Sequence, residues 1–272
     1  MITLTPLKEF TYPITAENIN PDIFGGKTVA EIAELSVYEG NRKEKLGDLF
    51  KIEEDPAETP NITINGDVSK VKRIGMGMEK GEIIINGNAG MHLGEKMAGG
   101  KIVVNGNASG WAGSAMKGGT IEIHGDASDY LASPYRGTEV GMRGGEIIVD
   151  GKVGSDSGCY MKGGLIRIKG GAGPFLGYRM TKGTIYVQKS CKTRVGALMT
   201  GGKIIVSGVL EEVMPTFTVD ETKAKVKIDD NEKAKGPFYV FAGDTAEHGK
   251  GKLYVSTEAN PQLGPIYNKY IE

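Results

Sequence analysis

Methionine returns along this chain at positions 78, 97, 116, 142, 161, 180 and 199, in steps of 19 residues broken once by a step of 26. A fixed short period is the strongest constraint a sequence can place on its fold, because each copy must be the same structural unit stacked on the last. Aligning the copies on methionine shows what each position does. The fourth residue is Gly in all seven (81, 100, 119, 145, 164, 183, 202), and the sixth is Ile in all seven (83, 102, 121, 147, 166, 185, 204). The eighth is Ile or Val (85, 104, 123, 149, 168, 187, 206), and the tenth is Gly except at Lys189. Another Gly stands three residues before each Met, except at Glu139 beside the longer step. The unit is therefore a 13-residue Gly-x-x-Met-x-x-Gly-x-Ile-x-Ile/Val-x-Gly core, at 75–87, 94–106, 113–125, 139–151, 158–170, 177–189 and 196–208.

Ile-x-Ile/Val is a period-two strand with two β-branched residues on one face, and the flanking glycines are corners. Nineteen residues with corners this frequent suit one coil of short strands and turns. Stacked coils lay Ile on Ile and Met on Met, about 4.8 Å apart, so seven coils make a column roughly 30 Å tall. One coil cannot bury its own apolar face, which is why the unit repeats. The fold class expected is all-β: a parallel β-helix, a solenoid of seven to eight coils. A small apolar residue two places after the tenth position (Ala89, Ala108, Ala127, Val153, Ala172, Cys191, Leu210) marks a second inward row.

Three segments follow: an N-terminal cap region, 1–60, the repeats, 61–210, and a C-terminal cap with an extended tail, 211–272. In the first, Thr3 to Tyr12 offers one or two strands. Asn20-Pro21 reads as a helix start, and Thr28 to Leu35 has helical spacing. Ser36 to Tyr38 and Leu46 to Ile52 read as strands joined through Glu39-Gly40-Asn41. Asn61 to Gly77 is an imperfect first coil carrying Ile62-Thr63-Ile64. Beyond Leu210, strands are expected at Val213 to Val219 and Val226 to Ile228, separated by charged turns. Phe238 to Phe241 and Leu253 to Val255 read as a hairpin, and Asn260 to Glu272 as an extended arm. Both ends are read as α/β and β caps that close the stack.

Residue seven of each unit points outwards and reads Ile84, Val103, Glu122, Ile148, Arg167, Tyr186, Ile205. A strand face left in water would be polar, so this row needs a cover, either the terminal regions or another protein. The seven added residues of the longer step lie around Asp129 to Gly137, including Tyr135 and Arg136, and map to a surface loop. Ile84, Val103, Ile148, Tyr186, Ile205, Tyr135 and Arg136 are the candidate partner contacts.

Chemistry is harder to find. The chain has 33 basic and 34 acidic side chains in 272 residues, a balance that favours neither nucleic acid nor a membrane surface. No apolar run approaches the ~20 residues of a membrane span, and the N-terminus carries no basic region followed by an apolar core, so a cytoplasmic protein without a signal peptide is expected. Two cysteines are too few for a disulfide framework. His92, His124 and His248 share no metal-ligand spacing. His124 reads as a turn residue, His92 as an exposed connector residue, and Cys191 as a buried filler. Gly171-Ala172-Gly173-Pro174 and Gly75-Met76-Gly77 imitate dinucleotide loops but are followed by another strand and corner rather than the helix that chemistry requires, and Gly25-Gly26-Lys27-Thr28 resembles half a phosphate loop with Pro21 in the place of its first glycine. No catalytic, cofactor-binding or metal-ligating residue emerges.

The repeated Gly-x-x-Met-x-x-Gly-x-Ile-x-Ile/Val-x-Gly array resembles the C subunit of formylmethanofuran dehydrogenase, and more distantly the glycine-rich β-helical domain of the glutamate synthase large subunit. The match spans residues 61–210 by motif. Lys80 and Lys182 replace the first Gly of the Met-x-Gly-Gly form, and Lys189 the tenth-position Gly. The resemblance implies a right-handed β-helix acting as a non-catalytic scaffold in a cytoplasmic hetero-oligomeric complex. That complex reduces carbon dioxide with methanofuran to formylmethanofuran in methanogenesis. Companion subunits would carry tungsten or molybdenum on a pyranopterin, iron–sulfur clusters and a binuclear metal centre. The family transfers no catalytic residue onto this chain. A subunit of a bacterial formyltransferase/hydrolase complex, or a stand-alone glutamate synthase domain, are the alternative readings.

Overall fold

The repeats form one long, largely parallel sheet. In the computed structural model, which describes residues 1–55 and 61–271, seven strands carry the Ile-x-Ile/Val cores: β8 (Glu82–Asn86), β9 (Lys101–Val104), β10 (Thr120–Ile123), β11 (Glu146–Val149), β12 (Lys162–Ile168), β13 (Lys182–Val187) and β14 (Lys203–Val206). Each pairs in parallel with the next, in a register that sets Ile83 beside Ile102, Ile102 beside Ile121, and so on to Ile204. The second inward row is also stacked: Val68, Ala89, Ala108, Ala127, Val153, Ala172, Cys191 and Leu210 form a run of single parallel bridges. Asn86 Nδ2 donates to Asn65 Oδ1 at 2.7 Å and Asn105 Nδ2 to Asn86 Oδ1 at 2.8 Å, an amide ladder at the same repeat.

Every aligned Met, every sixth-position Ile and every eighth-position Ile or Val is buried to 0% exposure. Each such side chain contributes on the order of 1.5–3 kcal/mol of hydrophobic stabilisation. The glycines fit these rows together. Gly119 has φ +81°, and a Cβ there would fall 2.7 Å from the Cε of Met97, so the methyl of one repeat sits in the hollow left by the glycine of the next. At Gly94, φ +60°, a Cβ would meet Ile121 Cδ1 at 2.7 Å. Both the left-handed backbone and the occupied space require glycine.

The terminal regions extend the same sheet. β1 (Ile2–Pro6) runs parallel to β6 (Ile62–Asn65), which pairs with β8. β5 (Phe50–Glu54) closes that edge antiparallel to β1. A four-stranded second sheet comprises β2 (Ile14–Thr15), β3 (Ser36–Glu39), β4 (Arg42–Lys45) and β7 (Val71–Lys72). Short helices α1 (Pro21–Phe24) and α2 (Val29–Ala33) start where the sequence placed them. Asn20 caps the first through the Asp22 N–H, and Thr28 with Glu31 forms a capping box on the second.

Some element expectations are corrected. The stretch from Leu46 is not one strand: α3 (Leu46–Leu49) precedes β5, and the partner of β3 is the charged β4. Leu46 and Leu49 bury one face of a helical turn, a spacing that strand alternation mimics over so few residues. Residues 213–217 are not a strand, whereas Thr218 to Lys227 form one continuous strand, β15, through a stretch read as charged turns. It pairs antiparallel with β16 (Lys233–Gly243), which pairs with β17 (Gly251–Ser256) as the expected hairpin. β17 then continues the main sheet, parallel to β14. The tail is not an extended arm, since Gly264–Tyr267 form a helical turn, α4, flanked by 3₁₀ turns. The expected division at residue 60 falls outside the described residues. Among the described residues, no helix is long and apolar enough to cross a membrane.

Candidate partner-binding faces

Strand alternation sends residues six and eight of each unit inwards and residue seven outwards. In register, Ile84, Val103, Glu122, Ile148, Arg167, Tyr186 and Ile205 therefore form one continuous outer row. Its two halves differ. Ile205 is fully buried by the chain itself, in a small core with Val226, Ile228, Ala234 and Phe238 of the β15–β16 hairpin and its turn. Tyr186, Leu165 and Tyr254 pack against that core. Ile205, expected as a partner contact, is covered by the chain's own C-terminal hairpin, whereas Tyr186 stays half-buried at the margin of that cover. Ile84 and Ile148 stay half-buried, and Val103 is buried. Lys101 and Glu122 form a 3.0 Å ion pair across the neighbouring strands.

Arg167 fastens the hairpin. Its Nε donates to Glu146 Oε1 at 2.6 Å, and its two terminal nitrogens pair with Asp229 and Glu232 in the β15–β16 turn. Asp229 Oδ1 also accepts from the Asn231 and Glu232 N–H groups, at 2.7 Å each. Those backbone N–H groups, with Arg167 behind them, hold its carboxyl below the ordinary value.

A second face lies at the turn ahead of the methionines, where one fixed position of the repeat carries a side chain in left-handed backbone. The series Arg73, His92, Trp111, Tyr130, Asp156, Phe175, Arg194 has φ between 56° and 67° throughout. Such a conformation costs a non-glycine residue about 1–3 kcal/mol. The return is visible in the stacking. Arg73 N donates to Met91 O at 3.0 Å, His92 N to Gly110 O at 3.0 Å, and Trp111 N to Asp129 O at 3.2 Å, each across to the next repeat. The rings stack in turn, His92 on Trp111 with centroids 5.5 Å apart and Trp111 on Tyr130 at 4.6 Å, nearly parallel.

The insertion folds onto this ladder. Tyr135, 57% exposed, tilts over both His92 and Trp111 at 5.7 and 6.0 Å, and Arg136 beside it is exposed. Ser133 anchors the loop: its Oγ accepts the Cys159 N–H at 2.9 Å and donates to Asp156 O at 2.5 Å. His92, read as exposed, is only 9% exposed and lies beside the equally buried Glu95, Nδ1 to Oε2 at 3.3 Å. The His92 imidazole first, then the charges of Arg73 and Lys96, hold the Glu95 carboxyl below its ordinary value against the opposing effect of burial. The Trp111 indole N–H is buried without an acceptor among the described residues. No sequence motif announced the ladder, because residue type varies at every step while backbone conformation does not. His124 matches its reading as a turn residue, exposed and 2.8 Å from Asn105 Oδ1 through Nδ1.

Among the described residues, no three or more His, Cys, Asp or Glu side chains are grouped to hold a metal ion. Cys159 and Cys191 are both buried, and burial pushes both thiols up to about 12.

No family model matches the chain. The C subunit of the tungsten-containing formylmethanofuran dehydrogenase 2 of Methanococcus maripaludis is 49% identical over 261 residues, 94% of this chain and 96% of that protein. The C subunit of the molybdenum-containing formylmethanofuran dehydrogenase 1 of Methanothermobacter thermautotrophicus is 50% identical over 91 residues, 34% of this chain. That match spans only 23% of the Methanothermobacter protein, and 36% of the corresponding C subunit of the tungsten-containing enzyme of Methanothermobacter wolfeii is spanned in the same way. Among solved structures, a chain of the formyltransferase/hydrolase complex (FhcABCD) from Methylorubrum extorquens, determined with methylofuran, superposes with a TM-score of 0.84 at 29% identity, covering 93% of this chain and 99% of that one. The molybdenum or tungsten in the relatives' names finds no fitting donor set among the side chains described above. Near-complete coverage at 49% identity decides the assignment: this chain belongs to the family of formylmethanofuran dehydrogenase C subunits.

Proposed function

We propose that the chain is a right-handed parallel β-helix, built as an N-terminal cap (1–60), repeats (61–210) and a C-terminal cap (211–272). Its role is to hold together the catalytic subunits of a cytoplasmic formylmethanofuran dehydrogenase complex of the tungsten or molybdenum type. In that reading the complex reduces carbon dioxide with methanofuran to formylmethanofuran. Companion subunits carry the pyranopterin metal, iron–sulfur clusters and binuclear centre, and this chain contributes surface rather than catalytic groups. The observation that carries it is the outer row. Ile84, Val103 and Ile148 point away from the core, and the β15–β16 hairpin packs only on the other end of the row. Arg136 and Tyr135 add a second exposed contact on the insertion.

The test is purification of the complex through an affinity tag on the chain carrying Ile84→Lys and Ile148→Lys. The expected result is a folded chain from which companion subunits have dropped away. Companions retained at wild-type stoichiometry would remove this face from the proposal. The Methylorubrum likeness favours a second reading, membership of a formyltransferase/hydrolase complex. Bound tungsten or molybdenum in the purified assembly supports the dehydrogenase; a metal content of neither supports the hydrolase.

A further inference from the structure

The aromatic corner contains a notch that the backbone does not require. The residues immediately before the left-handed ones stack as Lys72, Met91, Gly110 and Asp129, and the glycine leaves a gap in that column. Gly110 lacks a left-handed φ, and a Cβ there would meet only the Asp129 carbonyl, at 3.2 Å. Glycine at this point therefore keeps space open rather than permitting a turn. The space is a shallow cavity of about 440 Å³, with Met91, Trp111, Tyr130 and Pro13 as its apolar walls. Lys70 and Lys72 stand on its rim. Lys70 Nζ donates to the Thr11 carbonyl, and neither lysine meets a carboxylate among the described residues. Asp129, the one acid in the lining, is turned away to accept the Ser155 N–H at 2.7 Å. The rim is thus positive on a chain whose net charge is only −1.

We infer that this notch receives an extended acidic segment of a companion subunit, seating one apolar side chain over Gly110 between Met91, Trp111 and Tyr130, with its carboxylates against Lys70 and Lys72. The inference rests on the scaffold reading and adds to it a second contact, of stated chemistry, away from the outer row. Rigid aromatic walls held by strained backbone suit such an anchor, because little side-chain freedom is lost on binding. The lysines supply orientation and a salt-dependent approach.

Trp111 is the sole tryptophan of the chain, which makes the notch directly observable. Chain labelled with 5-fluorotryptophan, recombined with unlabelled companion subunits released from the purified complex, gives one fluorine resonance. That resonance shifts on reassembly. Gly110→Leu, which fills the notch, and the pair Lys70→Glu with Lys72→Glu each weaken reassembly roughly tenfold or more. Lys70→Arg with Lys72→Arg restores it, and raised salt weakens the wild type but not the Glu pair. An unshifted Trp111 resonance in the assembled complex, or wild-type affinity in both variants, overturns the inference while leaving the outer-row test intact. If Gly110→Leu loses the wild-type thermal transition, the lysine pairs and the resonance decide. A wild-type chain that never binds the companions overturns the scaffold reading itself.

Discussion

At the scale of the residue, glycine and methionine act as a pair. The Met97 methyl lies where a Cβ of Gly119 would be, and Ile121 does the same at Gly94. Gly94→Ala must therefore bear a left-handed alanine and displace Ile121, a loss of about 1–3 kcal/mol from the backbone alone. Met116→Ala leaves a cavity in a fully buried row and costs about 2–5 kcal/mol. Chemical denaturation of the two variants measures both. Glu95 gives a pH signature. Its folded carboxyl is held below the ordinary value, first by His92 and then by Arg73 and Lys96, so its contribution is fully present above about pH 4.3 and is lost as the pH falls further. Glu95→Gln should flatten the acid limb of the stability curve; an unchanged limb would show that the pair carries no linkage. These residues also mark what the sequence reveals. Invariant Gly and Ile positions were legible because one residue type answers one need. His92 was not, since its burial comes from the rings of Trp111 and Tyr135 packed on it, one from the next repeat and one from the insertion, with no motif to join them.

Among the elements, the β15–β16 hairpin has the largest bearing on the outer face. Its turn reaches Arg167, which binds Glu146, Asp229 and Glu232 together. Arg167→Ala would leave three carboxylates facing one another and cost about 1.5–3 kcal/mol for the lost charged hydrogen bonds. The expected readout is faster amide exchange in residues 226–234 with the main sheet unaffected; uniform acceleration would refute a local latch. Acid should act in the same direction. The Asp229 carboxyl is depressed, so its contribution is present above about pH 4 and fades below it. The sequence reading reaches only the two ends of β15, because Asp220, Glu221, Lys223 and Lys225 in its middle resemble a solvated turn. An edge strand carries such charges to deter further pairing. α3 was misread for the opposite reason, as four residues hold too little periodicity to separate helix from strand.

For the molecule as a whole, closure matters as much as repetition. β17 pairs with β14, and the hairpin buries Ile205, so truncation after Leu210 would uncover both an open sheet edge and an apolar row. The truncated chain should self-associate, seen as a rise in light scattering, where the full chain does not. A monodisperse truncated chain would mean that β14 is protected in some other way. The stack was readable from spacing alone, whereas its closure was legible only as a need for caps, because the caps use no repeated motif.

The 26-residue step has a consequence for how the molecule assembles in time. Within the seven methionine repeats each strand finds its neighbour across a closure of 19 residues, and at the insertion across 26. The entropy of closing a loop grows only with the logarithm of its length, so the longer step adds about 0.3 kcal/mol to one closure among many. That is below thermal energy. Folding started on either side of Asp129 to Gly137 can cross it without pausing, and the parallel sheet should zip as a single cooperative unit rather than as two.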